Sequence, residues 1–524
     1  MRRIRLAAAF LTVGGWTLAS RILGFARDIL IAATLGAGPV AEAFVVAFAL
    51  PNMFRRFFAE GAFNMAFVPM YAKRLETGED PHGFAAEALA ALASVLLVLT
   101  LIAQLAMPWL VLAMAGGFAG DERWPLATML GRIVFPYILL ISLAALFSGL
   151  LNATGRFWAA AAAPVLLNVI LIAAMGVAVS LGWDLGLALG WGVVLAGIAQ
   201  LALVWTAARA AGIAPALRRP RLTPAMRRLA IVALPAALAG GVVQINLLVG
   251  RQVASFFDGA VVWLSFADRL YQLPLGVVGI AIGVVLLPDL ARRLGAGDGA
   301  GGRAAFNRAM EFAMALSLPA AAALMVIALP LTSVLFERFA FTAADSAATA
   351  LAVAVYGAGL PAFVAQKVIS PVFFAREDTV RPFRYALVGM AVNAGLAIGL
   401  APVLGYIAAA IATSAAGWIN AGLLWWGARR YGDAAALDPR ARRSLPRLLI
   451  ASAVMAAVIF GLAEALAGAL ATPGWRILAL AALVAAGAAV YGAAALGLGA
   501  LRLGDLRRAV ARRGDGAAAA ELGE

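Results

Sequence analysis

The sequence contains no cysteine and only one histidine, His82. The absence of cysteine excludes disulfide bonds and thiolate chemistry. His82 lies in the polar stretch "TGEDPHG", where we expect a solvated loop residue. One histidine without cysteine cannot form the usual tetrahedral zinc site. The sequence also lacks a nucleotide-binding loop and a nucleophile beside a base, so we predict no metal, no cofactor and no enzymatic activity.

Charge is scarce as well, since 13% of the 524 residues are charged, 64% are hydrophobic and the mean hydropathy is +0.95. No class of soluble globular protein has this composition. Apolar runs such as 88–106, 164–181 and 477–498 are long enough to cross a membrane as helices. Since these runs do not alternate with period two, we predict an all-α membrane protein rather than a barrel. The fourteen predicted spans are 12–36, 41–71, 85–114, 126–153, 157–181, 185–208, 229–255, 261–289, 306–330, 347–374, 383–402, 405–428, 447–470 and 475–500.

Basic residues are distributed unevenly between the predicted loops. The stretches "RRIR", "ALRRPRLTPAMRR", "ARRYGDAAALDPRARRSLPR" and "LRRAVARR" lie at the termini or after even-numbered spans. The opposite loops contain only Arg123 and Arg338. This asymmetry predicts an inner-membrane protein with both termini in the cytoplasm, and its first helix is retained rather than cleaved as a signal. The net charge of +15 therefore needs no nucleic acid, and the basic loops can contact membrane lipids.

Two halves of the chain share a series of motifs. The stretch "PMYAKRLETGED" from Pro69 resembles "PDLARRLGAGD" from Pro288. Further matched positions are Pro108 with Pro330, Pro136 with Pro361, Arg156 with Arg381 and Asn168 with Asn393. We infer a repeat of six helices, which makes the two copies parallel and predicts a central site with alternating access. The predicted domains are an N-terminal lobe at 1–228, a C-terminal lobe at 229–430, and helices 13 and 14 with a basic cytoplasmic tail at 431–524.

Four arginines lie deep inside predicted spans. Arg21 and Arg27 are roughly 13 and 22 Å from the cytoplasmic start of the first span, at the helical rise per residue. By the same measure, Arg55 lies roughly 21 Å down the second span and Arg269 roughly 12 Å down the eighth. Exposure of all four to lipid would cost on the order of 10 kcal/mol. We therefore expect these side chains to face water or a partner.

The arginines have two explanations. One is internal pairing with the carboxylates of the same spans, which are Asp28, Glu42, Glu60 and Asp268. The other is an anion site, because both halves of the repeat contribute arginines and a guanidinium binds phosphate oxygens bidentately. We favour the anion site, with Asp28, Glu42 and Asp268 as supporting charges. Helix bending at Gly24 and at Pro51 beside Asn52 would let the site open and close.

Four stretches resemble the MurJ (MviN) lipid II flippases, which belong to a superfamily of multidrug and oligosaccharidyl-lipid exporters. They are "SRILGFARD", "LPNMFRRFFAEGAFNMAFVP", "FPYILLISLAALFSGLLN" and "ADRLYQLPLGVVGIAIGVVLLP". The resemblance implies fourteen helices, two lobes and a cationic central cavity. The family's essential arginines match Arg21, Arg27, Arg55 and Arg269, and its acidic residue early in the second helix matches Glu42. Gln272 stands where some relatives have an acidic residue.

The resemblance implies transport of lipid II, the lipid-linked peptidoglycan precursor, to the periplasmic leaflet for cell wall synthesis and cell shape. It also implies that helices 13 and 14 form an apolar groove for the polyprenyl tail. The alternatives are an exporter of another polyprenyl-diphosphate-linked saccharide or a multidrug antiporter, and less so a scaffold or a channel. Because the predicted helices 7 and 11 contain no carboxylate cage for sodium, we predict transport driven by membrane potential.

Overall fold

The computed structural model describes residues 2–55, 62–216 and 218–501. Within these ranges it also describes the side chains, except those of residues 2–11, 62–65, 234–247, 277–285 and 287. The described residues form eighteen α-helices. They are α1 Arg2–Leu35, α2 Pro39–Arg55, α3 Ala62–Thr77, α4 Pro81–Met114, α5 Arg123–Val134, α6 Tyr137–Ala153, α7 Trp158–Leu181, α8 Leu185–Ala210, α9 Pro224–Ala254, α10 Ala260–Gly295, α11 Gly299–Val326, α12 Ala328–Phe336, α13 Ala343–Phe374, α14 Val380–Leu404, α15 Ile407–Ala428, α16 Pro439–Ala465, α17 Ala467–Ala471 and α18 Arg476–Gly497.

The helical class predicted from the apolar runs is confirmed. In the described part of the chain, ten segments are long and apolar enough to cross a membrane, with α5 and α6 counted together. They coincide with predicted spans 3 to 6 and 9 to 14. The other four predicted spans coincide with α1, with α2 and α3, with α9 and with α10, whose side chains are described only in part.

Two of the predicted spans contain a break between helices near a proline. The predicted span 126–153 is α5 and α6, with a break at Pro136, and the predicted span 306–330 extends over α11 and α12. A proline has no N–H to donate to the carbonyl four residues earlier. Pro330 lies in the first turn of α12, where this loss costs little.

Gln104 and Arg132 satisfy two of the carbonyls that prolines leave without a helical donor. Because Pro136 has no N–H, the carbonyl of Arg132 lacks its usual helical donor and accepts instead from Nε2 of Gln104 at 2.8 Å. Because Pro108 has no N–H, the carbonyl of Gln104 lacks its usual helical donor and accepts instead from Nε of Arg132 at 3.2 Å. Because unsatisfied backbone groups are costly in lipid, this exchange stabilises the contact between α4 and α5.

The chain divides into two compact units, Met1–Val262 with Arg338–Phe341, and Trp263–Glu337 with Thr342–Glu524. In the first unit α1 packs on α7, α2 on α5, and α9 on α3 and α4. In the second unit α11 packs on α13 and α16, and α15 packs on α13 and α14. The predicted lobe boundary at residue 228 places α9 in the second lobe, and that boundary stays a prediction.

Candidate functional site

Arg27 is buried between α1 and α7, with 7% of its surface exposed. Its Nε and Nη2 donate to Oδ1 of Asp28 at 3.1 and 2.6 Å. Its Nη1 donates to Oδ1 of Asn168 at 3.0 Å, and Nδ2 of Asn168 donates to the carbonyl of Ser20 at 2.9 Å. The guanidinium is therefore held in one orientation, and a neighbouring carboxylate offsets its charge.

Gly24 lies on α1 opposite Asn168 of α7. A Cβ at residue 24 would lie 3.5 Å from Nδ2 of Asn168, which is ordinary contact distance. The helix α1 is continuous through Gly24. The proposed bending at this glycine stays a prediction, while its proximity to Asn168 is a feature of the packing.

Arg21 differs from Arg27 in its surroundings. Its side chain is exposed, and no ion pair or hydrogen bond joins it to the residues that the structure describes. The helix α1 thus has one buried, oriented arginine and one exposed arginine whose hydrogen-bond donors are free to bind a ligand.

Arg55 is the last residue of α2 and is half-buried. One turn earlier, Nδ2 of Asn52 donates to the carbonyl of Phe48 at 2.8 Å, beside the buried Pro51. This side-chain donor adds a hydrogen bond where the proline removes one from the helix. The predicted partner Glu60 lies outside the described residues.

Arg269 belongs to the second unit and is exposed on α10. Asp268 precedes it and is half-buried. The amide of Gln272, one turn later, donates a hydrogen bond to the carboxylate of Asp268. A neutral side chain at position 272 can therefore orient Asp268 without adding a second negative charge.

Glu42 pairs with Arg123, which is not one of the four arginines inside the predicted spans. It is 1% exposed, and its Oε2 accepts from Nη1 of Arg123 at 2.9 Å. Its Oε1 accepts from the backbone N–H of Val261 at 3.1 Å. The packing of α2 on α5 brings Glu42 to Arg123, the first residue of that helix, and the role of Glu42 as a supporting charge of the arginine site stays a prediction.

Arg123 connects three carboxylates in the first unit. Besides Glu42, its Nη2 lies 2.5 Å from Oδ2 of Asp121 and 3.1 Å from Oδ1 of Asp258. Its guanidinium also lies over the ring of Phe118, 4.7 Å from the centroid. Burial raises the pKa of Asp121, but the hydrogen bonds from Arg123 outweigh burial and hold that pKa below its ordinary value.

Comparisons with known proteins identify the family. The family model described as lipid II flippase MurJ matches residues 31–475. A probable lipid II flippase MurJ of Rhizobium meliloti is 48% identical over 501 residues, which are 93% of this chain and 92% of the relative. The chain belongs to the lipid II flippase MurJ family.

Solved structures agree with this family at the level of the fold. A structure of lipid II flippase MurJ in an inward closed conformation has a TM-score of 0.76 and 24% identity, and the match covers 92% of this chain and 97% of that one. An inward-facing multidrug transporter of the MATE family has a TM-score of 0.62 and 15% identity, with 82% and 97% covered. The chain therefore has the fold of the flippases and their exporter relatives.

Sequence reasoning missed two residues that the structure brings into contact with the predicted ones. Asn168 orients Arg27, and its match with Asn393 in the repeat was a signal that this position matters. Arg123 was assigned to an outer loop, and no local pattern indicates that it is 6% exposed and bound to Glu42. Only the packing of α2 on α5 brings these two residues together.

Proposed function

We propose that this protein moves lipid II from the cytoplasmic to the periplasmic leaflet of a bacterial inner membrane, with both termini in the cytoplasm and no bond broken. The observation that carries the proposal is the arginine pair on α1, in a chain of the MurJ family. Arg27 is oriented by Asp28 and Asn168, while Arg21 is exposed and free among the described residues. Together they offer the donors that an anionic headgroup needs.

The substrate's diphosphate is the group that cannot cross hydrocarbon without help. In this proposal Arg21, Arg27, Arg55 and Arg269 bind its oxygens and replace its water, since each guanidinium presents paired donors that match phosphate. Asp28 stabilises Arg27 when no substrate is bound, because an uncompensated buried cation is costly. The two lobes then expose the bound headgroup first to one side of the membrane and then to the other.

The polyprenyl tail stays in an apolar environment throughout the transfer. The helices α16 and α18 expose aliphatic side chains such as Val454, Val458 and Leu478. We propose that these helices contact the tail and keep its apolar surface away from water during the transfer. This contact leaves the arginines to determine which headgroup is accepted.

The proposal is tested in a cell whose own lipid II flippase is depleted. Arg27→Ala, Arg55→Ala and Arg269→Ala should each fail to restore growth at native expression, since each removes a phosphate ligand. Arg27→Lys should restore growth poorly because an ammonium lacks the planar fork. The amount of protein in the membrane fraction is measured for every variant.

Arg228→Ala is the matched control, since Arg228 is exposed and has no side-chain partner among the described residues. It should grow as the unaltered protein does. Normal growth of all three test variants would refute the arginine site. Depletion of this protein in its native cell separates the alternatives. Accumulation of a lipid-linked saccharide other than lipid II would favour an exporter of that saccharide. If neither lipid II nor another lipid-linked saccharide accumulates, a multidrug antiporter is favoured.

A further inference from the structure

A cavity of about 240 Å³ lies in the second unit, where α15 ends and α16 begins. Its lining includes Trp425, Arg429, Gly432, Leu437 and Arg442. The volume is about eight times the roughly 30 Å³ that one water molecule occupies, so a phosphate with part of a glycerol fits. The positive-inside pattern places this end of the unit at the cytoplasmic surface.

The two arginines of this cavity differ from the arginines around them. Arg303, Arg308, Arg381 and Arg440 each form an ion pair with a carboxylate. Neither Arg429 nor Arg442 does so among the described residues. Nε of Arg442 donates to the carbonyl of Leu437 at 3.1 Å, which orients the guanidinium and leaves its Nη atoms available.

The carboxylates of the α15–α16 connection have other partners. Oδ1 of Asp438 accepts from the backbone N–H of Ala441 at 2.7 Å and caps α16, while its Oδ2 lies 2.5 Å from Nη2 of Arg308. Oδ2 of Asp433 lies 3.3 Å from Nη1 of Arg303. The cavity therefore has two cations whose counter-charge is not supplied by the described protein, which is the condition for binding an anion.

The surroundings of the cavity match a lipid better than a soluble anion. Trp425 lines it and the neighbouring Trp426 is 63% exposed, and tryptophan is the residue type enriched at the level of the lipid headgroups. Leu449 is 58% exposed on α16, seven residues after Arg442, so it lies on the same helical face roughly 10 Å further into the membrane. An acyl chain attached to a phosphate at Arg442 would lie along this apolar face.

We propose that this cavity binds the phosphodiester headgroup of an anionic membrane phospholipid. The headgroup phosphate binds Arg429 and Arg442, and its acyl chains pack along α16. The site belongs to the second unit alone and does not depend on the substrate that the protein transports. It anchors the connection between α15 and α16 to the cytoplasmic leaflet, because basic pockets between membrane helices attract anionic headgroups.

The test is native mass spectrometry of the purified full-length protein titrated with phosphatidylglycerol or with zwitterionic phosphatidylethanolamine. Phosphatidylglycerol should be retained preferentially. The double variant Arg429→Gln with Arg442→Gln should weaken its retention about tenfold, since it removes both guanidinium groups that line the cavity and bind the phosphate. Inorganic phosphate at millimolar concentration should not displace the lipid.

The matched control is Arg430→Gln with Arg443→Gln, which removes the same charge from neighbouring exposed residues that do not line the cavity. It should change retention less than twofold. Ala436→Leu fills the cavity without changing charge and should also weaken retention, which keeps the test valid if the arginine variant unfolds. Equal losses in both arginine pairs, unchanged binding to Ala436→Leu, or displacement by inorganic phosphate would each overturn the proposal.

Discussion

Arg123 is buried in the structure, although its position in a predicted outer loop suggested an exposed side chain. Its guanidinium forms ion pairs with Glu42, Asp121 and Asp258, whereas Glu42 pairs with one cation among the described residues. We predict that Arg123→Gln lowers the melting temperature of the detergent-purified protein more than Glu42→Gln does. The first change leaves three carboxylates without their cation, while the second leaves Arg123 with two. Breaking one side of a buried pair costs about 3–5 kcal/mol.

A double-mutant cycle separates the pair from its surroundings. The double variant Glu42→Gln with Arg123→Gln should be less destabilised than the sum of the two single variants, by at least about 1 kcal/mol. Arg228→Gln is the control for the loss of one positive charge, because Arg228 is exposed. Strict additivity of the two single effects would contradict direct pairing.

At the scale of the element, the end of α1 depends on a glycine. Gly36 has φ of 61°, and its N–H donates to the carbonyl of Ala32 at 2.9 Å. A Cβ at this position would lie 2.4 Å from the carbonyl oxygen of Ala340, in the segment Arg338–Phe341 of the same unit. We predict that Gly36→Ala lowers the melting temperature, because it combines left-handed strain of about 1–2 kcal/mol with a backbone clash.

Gly182 provides a matched comparison, since it ends α7 with φ of 67° and a Cβ there would meet nothing within 4 Å. Gly182→Ala should show the strain without the clash and so lose less stability. Differential scanning fluorimetry of both variants in the same detergent measures the difference. Equal melting temperatures for the two variants would mean that the segment around Ala340 moves aside at no cost.

At the scale of the whole molecule, the direction of transport suggests its energy source. A diphosphate carries about two negative charges outward from a negative interior, which gains on the order of 5 kcal/mol per 100 mV as an upper bound. We predict that net transport in reconstituted vesicles requires an imposed potassium diffusion potential. A sodium gradient without a potential is the control and should give no net transport. Flipping that follows sodium and ignores the potential would refute this mechanism.

Much of the architecture could be predicted because it depends on local properties of the chain. Apolar runs of about 20 residues must form helices in lipid, so spans 3 to 6 and 9 to 14 were found where the structure has them. Arg27 and its neighbour Asp28 were singled out because they lie inside a single predicted span, and both are buried in the structure. Interruptions such as the break at Pro136 also have a local cause, although the sequence alone did not indicate how Arg132 and Gln104 would compensate it.

The sequence by itself determined the helical class and the family, and it predicted the four arginines of the candidate site. The tertiary structure decided which partner each charge has. Glu42 and Arg123 are 81 residues apart, and Arg27 and Asn168 are 141 residues apart. Hydropathy and helix length are summed along one segment, whereas these pairs form only when two helices pack at a particular rotation and depth. That geometry depends on the side chains of both helices together, and for this reason the sequence predicted the helix of Glu42 but did not indicate its pairing with Arg123.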